Sequence, residues 1–374
     1  MSQILVVNYG YNNGHSENAN AICLYNIIVN DPKNHYIIVT DIGGHKIKQD
    51  CKNAEIISLS SGLNHAESRD VFKKDVMGFC EKIILEKSIS NLLIVSFPIF
   101  CAKIGYKLKK KFSHLNFLFY QLDSYSVNAS LRLKNVLFPI RYFWDYIIFR
   151  YADKILLTHE IYGKYQRNFL FKSFFHKMIS IGIPIMNITK FNYRDNNRDC
   201  IRVVYIGSLN LQFRDPNPYL RLLYNHIKDI KNFELIFYGH NNDVIDNLIL
   251  SQYGKKMVLK SFVKPNDLSE VIRNADFLLN ICNESLDILP SKILEYIGYR
   301  KPIINFTPNN KNIGVKYLAD FPLKFNFYQN KNNEGFKDFV LNNRNNLAPY
   351  EIVEKNYHSL TTKFIVDNIS KIYK

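Results

Sequence analysis

Paired cysteines are missing from this sequence. Its six cysteines stand at 23, 51, 80, 101, 200 and 282, with no C-x-x-C pair and no nearby Cys/His partner at zinc spacing. That pattern points to a reducing compartment, to buried apolar cysteines such as Cys23 and Cys282, and to no structural metal. There is also no run of about 18 apolar residues, the least a membrane-spanning helix needs. The stretch Met1-Ser2-Gln3-Ile4-Leu5-Val6-Val7-Asn8 lacks the basic start of a signal peptide and reads as a first β-strand. After it comes Gly10-x3-Gly14, not the G-x-G-x-x-G turn with an acidic residue downstream, which disfavours a nicotinamide-dependent dehydrogenase. Acidic residues are in deficit too: 33 Asp and Glu face 49 Lys and Arg, for a formal net charge of +16.

Aromatic and aliphatic residues are plentiful. With 27 Phe, 25 Tyr and 47% hydrophobic residues, the chain has the material for buried cores, and its 374 residues suit two domains of ordinary size. The basic excess fits three kinds of partner: nucleic acid, an anionic membrane face or phosphate-bearing small molecules. It equally fits general solubility of a Lys- and Asn-rich chain.

Short apolar runs alternate with longer helical patterns. Strands are expected at 3–8, 36–40, 55–59, 92–97, 115–120, 154–158 and 178–182, with helices at 17–29, 69–87, 99–111, 128–150 and 160–171. Continuous apolar strands suit a parallel sheet covered on both faces, so residues 1–187 read as a doubly wound α/β domain. The polar stretch 188–200 reads as a linker. The rhythm restarts over 201–348, with strands at 201–206, 233–238, 257–260, 276–281 and 302–306. Helices are expected there at 217–230, 243–252, 266–274 and 291–299. A helical segment over 349–374 is expected to pack back on the first domain. Two such domains face each other across a cleft, the expected active site.

The densest local signal is Asp276 to Asn305, DFLLNICNESLDILPSKILEYIGYRKPIIN. A strand runs into a polar loop, and Pro290-Ser291 opens a helix in which Ser291 caps or enters the first turn. A helix N-terminus presents unpaired N–H groups and partial positive charge, a ready diphosphate site. Lys292 in that first turn opposes the helix dipole and makes sense if an anion binds there. Glu295, one turn on, can accept hydrogen bonds from ribose hydroxyls. The plain alternative is a capped helix ending at Gly298 with Lys292 and Glu295 on a solvated face.

This stretch resembles the donor-binding region of GT-B glycosyltransferases, especially the large retaining group with a Glu-x7-Glu motif. In that group a pattern like PSK-x-x-EY-x-x-x-GKPII follows the penultimate strand. The matching residues are Pro290, Ser291, Lys292, Glu295, Tyr296, Lys301, Pro302, Ile303 and Ile304, and the resemblance covers about 201–306. Eight positions before Glu295 stands Asp287, so the motif is Asp-x7-Glu. The resemblance implies a GT-B fold, Glu295 on the ribose and Asp287 near the donor sugar, with Glu284 as a fallback. Val203 to Leu209 looks like the first strand and glycine turn of the donor domain, with Gly207 allowing a close approach to phosphate. The basic residue the group often carries next is here Ser208; a second aligns with Arg214, which is suited to pairing with a diphosphate. As an ordinary residue, Arg214 is a surface loop arginine. Tyr238, before Gly239, marks a second strand end, and Phe262 with Val263 falls in the loop that reads the base through backbone groups.

In the first domain, Asn8 to His15 follows the first strand on the acceptor side, with His15 as a catalytic candidate or an ordinary loop histidine. Asp123 follows strand 115–120 and either orients or deprotonates an acceptor hydroxyl or bonds a local turn. Apolar residues mixed with Arg and Lys over 128–150 and 168–177 suit an interfacial membrane site; alternatively helix 128–150 packs in the core, kinked at Pro139.

The expectation is a hexosyltransferase-type, metal-independent and retaining glycosyltransferase, cytoplasmic or peripheral at the inner face of an anionic membrane. No Asp-x-Asp follows a strand, and no cofactor is required. The donor is a nucleoside-diphosphate sugar, UDP-linked by preference, and the acceptor a glycan or lipid-diphosphate-linked glycan of bacterial surface polysaccharide such as capsule or O-antigen. The competing readings are a sugar-nucleotide epimerase of the same fold and a basic nucleic-acid-binding protein. No nucleic-acid recognition motif occurs, and no nucleic-acid partner is expected.

Overall fold

The computed structural model describes residues 2–11, 19–41, 51–59, 65–96, 98–126, 138–190, 199–240, 242–263 and 265–373. The chain divides into two compact units, Met1–Ile185 with Ser359–Lys374, and Met186–His358.

The first unit runs β1 (Ser2–Val7), α1 (Ala19–Asn30), β2 (Asn34–Thr40), β3 (Ala54–Ser58), α2 (His65–Glu86), β4 (Asn91–Val95) and α3 (Ile99–Lys111). It continues through β5 (Asn116–Gln121), α4 (Phe138–Tyr151), β6 (Lys154–Thr158), α5 (His159–Gln166), a 3-10 helix (Phe169–Lys177) and β7 (Met178–Ile181). The strands form one parallel sheet in the order β3-β2-β1-β4-β5-β6-β7. Period-two alternation sends Leu5 and Val7 into one core and Ile4 and Val6 into another on the opposite face. Both faces are therefore buried, which is why the strands are uninterrupted apolar runs.

The second unit runs β8 (Ile201–Ile206), α6 (Asn217–Ile227), β9 (Phe233–Tyr238), α7 (Asn247–Tyr253), β10 (Met257–Lys260) and α8 (Pro265–Arg273). It continues through β11 (Phe277–Ile281), α9 (Lys292–Tyr299), β12 (Ile303–Thr307), α10 (Ile313–Tyr317), β13 (Lys324–Tyr328), α11 (Phe336–Asn342) and α12 (Tyr350–Tyr357); the last helix, α13 (Thr362–Ile372), belongs to the first unit. Its sheet is parallel in the order β10-β9-β8-β11-β12-β13. Both sheets thus reverse strand order beside their first strand, the doubly wound arrangement. β8 pairs with β9 along its whole length but with β11 only at Val203–Val204 against Phe277–Leu278. Beyond that register β8 and β11 are no longer paired, and the carboxyl ends of such strands are where a doubly wound sheet forms its ligand crevice.

Three helical expectations are redrawn. Described helix begins at Phe138, so most of the apolar and basic stretch before it, 127–137, lies outside the described residues. Pro139 is the second described residue of α4, and the residues before it that bear on a kink lie outside the described ones. The segment expected as helix 160–171 is α5 followed by a separate 3-10 helix, started by Asn168, whose side chain accepts the Leu170 N–H at 3.1 Å. The segment 349–374 is two helices, because Thr361 caps α13 by accepting the Phe364 N–H. α13 buries Ile365, Val366 and Ile369 against Leu24 and Ile28 of α1, each side chain contributing about 1.5–3 kcal/mol of transfer free energy before ordering costs. Part of the linker, 191–198, lies outside the described residues.

Candidate functional site

Three segments meet the crevice of the second unit: the turn after β8, the loop after β11 and the start of α9. Gly207 ends β8 at φ +154°, where side-chain-bearing residues are strained. Its N–H donates to Tyr238 O at 2.9 Å. A Cβ on Gly239 would lie 1.9 Å from Gly207 O, so the ends of β8 and β9 nest backbone against backbone. Ser208 is exposed, and its carbonyl accepts the Tyr205 hydroxyl at 3.1 Å.

Arg214 is half-buried rather than on the loop surface. Its N–H closes a turn on Asn210 O at 2.6 Å. Its Nη2 donates to Asn283 Oδ1 at 3.2 Å, and Nη1 lies 3.5 Å from the Tyr205 hydroxyl. The Glu284 N–H donates to Phe213 O at 2.9 Å, fastening the loops after β8 and β11 to each other. Arg214 Nε is buried and has no hydrogen-bond partner among the described residues. A buried, unsatisfied guanidinium donor is costly, and here it stands where strand order reverses.

The start of α9 is tighter than an ordinary helix entry. Pro290 is buried, and Ser291 has helical angles but makes no side-chain cap. The Ile293 N–H donates to Pro290 O at 3.0 Å and the Leu294 N–H to Ser291 O at 3.1 Å. These 3-10 bonds consume two amides that a helix start otherwise leaves open. The amides of Ser291 and Lys292 make no hydrogen bond among the described residues. Lys292 Nζ is 3.0 Å and 2.9 Å from the two carboxylate oxygens of Glu295. Tyr296, fully buried, accepts the Ile206 N–H at 3.1 Å and so pins α9 to the end of β8.

The rest of the 290–304 stretch is scaffold. A Cβ on Gly298 would lie 2.5 Å from Asn187 O. Arg300 stands where the resembled pattern has glycine and adopts the left-handed conformation, φ +62°. Its guanidinium is tied to Ala348 O at 2.9 Å and Thr189 O at 3.0 Å. Lys301 donates to Ala275 O and Arg273 O beyond the end of α8, and burial lowers its ammonium to about 8. Asp287 and Glu284 are exposed. Partial desolvation, then the neighbouring Asp215, raises the Glu284 carboxyl above the usual range.

At the ends of β9 and β10, Phe262 stacks on His240, ring centroids 5.2 Å apart and planes 6° from parallel. Both rings are exposed, and Val263 beside them is half-buried. His240 ends the sequence match Phe237-Tyr238-Gly239-His240, in which only Tyr238 stands as a site candidate. Lys260 Nζ lies 3.3 Å from the Tyr238 hydroxyl. Tyr238 and Lys260 line a cavity of about 280 Å³ with Arg202, Glu234 and the α8 residues Asp267 and Glu270.

In the first unit, β1 pairs β4 only over Ile4–Val6 against Asn91–Leu93. At the carboxyl end of β1 stands Asn8, fully buried, with neither Oδ1 nor Nδ2 hydrogen-bonded among the described residues. The sequence places Asn8 at the end of the first strand and at the start of the acceptor-side stretch Asn8 to His15, in which only His15 is a catalytic candidate. His15 lies outside the described residues. Asp123 is exposed in the loop after β5, and desolvation still raises its carboxyl above the usual range. Its loop is held by Asp145, which is fully buried on α4. Asp145 accepts the Ser126 N–H at 2.9 Å, the Tyr165 hydroxyl at 2.7 Å and Gln121 Nε2 at 3.3 Å. Burial pushes its carboxyl up to about 6 against the pull of those hydrogen bonds.

No family model matches the chain, and no curated protein sequence is similar to it. Its fold, however, is that of several solved structures. WaaG, a glycosyltransferase involved in lipopolysaccharide biosynthesis, aligns at TM-score 0.62 and 13% identity over 99% of both chains. The lipopolysaccharide outer core galactosyltransferase WaaB aligns at TM-score 0.55 and 14% identity over 99% of both chains. A UDP-GlcNAc 2-epimerase from Neisseria meningitidis, solved with UDP-GlcNAc, aligns at TM-score 0.60 and 10% identity over 99% of both chains. The two doubly wound sheets, with GT-B glycosyltransferases among their structural neighbours, give the chain a GT-B-type α/β fold. Among the described residues, no group of three His, Cys, Asp or Glu side chains is placed to hold a metal ion, and no helix is long and apolar enough to cross a membrane.

Proposed function

We propose that this protein is a glycosyltransferase that moves a hexosyl group from a nucleoside-diphosphate sugar, UDP-linked by preference, to a glycan acceptor. The observation that carries the reading is Arg214: a half-buried guanidinium, held between the loops after β8 and β11, with its Nε unsatisfied at the reversal of strand order. A diphosphate there would meet Arg214, the amides of Ser291 and Lys292, and the Lys292 ammonium. Those groups would stabilise the leaving diphosphate in the role a metal plays elsewhere. Glu295 would take the ribose and the Phe262–Val263 loop the base, with Gly207, Ser208 and Tyr238 at the edges of the site. Asp287 would lie towards the donor sugar, and Asp123 and His15 are the acceptor-side candidates for orienting or deprotonating a hydroxyl.

The acceptor in this reading is a lipid-diphosphate-linked glycan of surface polysaccharide synthesis. Transfer retains the anomeric configuration, and the protein works in the cytoplasm at the inner face of an anionic membrane. Residues 1–187 form the acceptor-binding domain and 201–348 the donor-binding domain. A thermal-shift screen against UDP-, GDP-, dTDP- and CMP-sugars tests the donor site, because a ligand of the folded state raises the melting temperature by mass action. The expected hit is a UDP-sugar; no shift with any of the four sinks the reading.

The epimerase likeness supports a second reading, in which the same site isomerises a UDP-sugar with no acceptor. Incubating the protein with UDP-sugars alone separates the two: a new UDP-sugar formed without acceptor establishes the epimerase.

A further inference from the structure

α4 carries apolar side chains on both its buried and its exposed sides. Its inner side buries Ile148 and Phe149 at 0% exposure, yet its outer side leaves Ile140 at 50%, Phe143 at 56% and Tyr146 at 40%. Residues 140, 143 and 146 advance by about 300° per step, so they fall along one side of the helix. The 3-10 helix Phe169–Lys177 beside it exposes Phe169 at 82% and Leu170 at 48%. Asn168 Nδ2 donates to the Tyr142 hydroxyl at 3.3 Å, and Tyr146 packs edge-on against Phe174 at 5.1 Å. The two elements are therefore locked to each other, and their exposed rings stand on a fixed frame. Single exposed apolar residues are ordinary; five on two adjoining elements are not.

The charges beside these rings choose among partners. Arg150, Lys172 and His176 are the exposed basic residues on the two elements, and the one acid, Asp145, is fully buried. A second copy of the chain in a twofold contact would set these cations against themselves. An anionic bilayer accepts aromatic and aliphatic side chains at its headgroup boundary and attracts basic residues. We propose that this face docks on an anionic lipid bilayer, with Phe143, Phe169 and Leu170 entering the headgroup region and Arg150 and Lys172 meeting lipid phosphates. The proposal deepens the membrane part of the functional reading and rests on that reading only for the purpose of docking, access to a lipid-linked acceptor.

The test is vesicle sedimentation of the full chain, with the UDP-sugar thermal shift recorded in parallel. Wild type is expected to pellet with phosphatidylcholine vesicles containing about 30% phosphatidylglycerol, less so as salt rises, and not with pure phosphatidylcholine. The double variant Phe143→Ser, Phe169→Ser changes two exposed side chains, so it is expected to fold, to keep the wild-type response to UDP-sugars, and to lose at least about tenfold in vesicle partition. Arg150→Glu with Lys172→Glu is expected to lose anionic-vesicle binding to a similar degree. Undiminished partition of the serine variant, or equal partition into neutral vesicles, overturns the proposal. A wild-type dimer that the serine variant dissolves also overturns it and assigns the face to a second copy. A protein that docks but responds to no nucleotide-sugar leaves this proposal standing and sinks the donor-site reading instead.

Discussion

Lys292 and Glu295 form a closed pair one turn apart on α9, the ammonium 3.0 Å and 2.9 Å from the two carboxylate oxygens. Their side chains are 35% and 20% exposed, so the pair contributes only a few tenths of a kcal/mol to stability. The cation lies nearer the positive end of the helix dipole than the carboxylate does, which offsets part of even that. In the proposed complex the pair opens, the ammonium turning to phosphate and the carboxylate to ribose.

Lys292→Ala and Glu295→Ala are therefore expected to separate function from folding. Each should lower sugar transfer by at least about 100-fold while moving the melting temperature by no more than about 2 °C. Near wild-type turnover in either variant removes the pair from the site.

Two glycines should answer substitution in opposite directions. At Gly239 an added Cβ meets the Gly207 carbonyl at 1.9 Å, so Gly239→Ala forces two strand ends apart and should cost about 2–3 kcal/mol. Gly78, inside α2, has nothing within 4 Å of an added Cβ, and Gly78→Ala should stabilise by about 0.5–1 kcal/mol. Denaturant midpoints of the two variants against wild type check both signs.

Asn8 buries both polar atoms of its carboxamide without a partner among the described residues. Asn8→Leu, of similar volume, removes that desolvation cost and should leave stability equal or raise it by about 1 kcal/mol. If the carboxamide serves an acceptor at the end of β1, transfer should fall at the same time. A clear loss of stability would mean that the amide is satisfied in solution.

Asp145 ionises in the folded chain near 6, whereas an unfolded-chain aspartate ionises near pH 4. Between those values the folded state holds the extra proton. The contribution of this group to stability is thus complete below about pH 4 and is lost as pH rises through about 6, a change on the order of 3 kcal/mol. Asp145→Asn should flatten that component, so the variant gains on wild type between about pH 4 and pH 7 in chemical denaturation. A pH-independent difference between the two would place the folded carboxyl at its ordinary value.

Much of the fold was legible because the central strands are buried on both faces. Runs such as Leu92 to Val95 have no polar phase to confuse with a helix, and some helices carry their own start signal, as Asp246 does for α7 and Thr361 for α13. β13, Lys324–Tyr328, escaped notice because it is an edge strand of mixed polarity, mostly half-buried. Helices α10 and α11 are too short for periodicity to register. The stretch 290–295 was legible as a helix start beside a loop, since Pro290, Ser291 and Lys292 signal through local backbone chemistry.

By itself, the order of residues determined twelve of the thirteen described strands to within a few positions and the place of α9, because burial pattern and turn chemistry act over short stretches of chain. Only the tertiary structure decided which side chains spend their polar atoms on one another. It tied Lys292 to Glu295, set Arg214 between Tyr205 and Asn283 with one donor left over, nested Gly239 on Gly207, and committed Arg300 and Lys301 to main-chain carbonyls of the scaffold. Those pairings depend on where strands distant in sequence stop running together, and that is set by the packing of whole sheets rather than by any local run of residues.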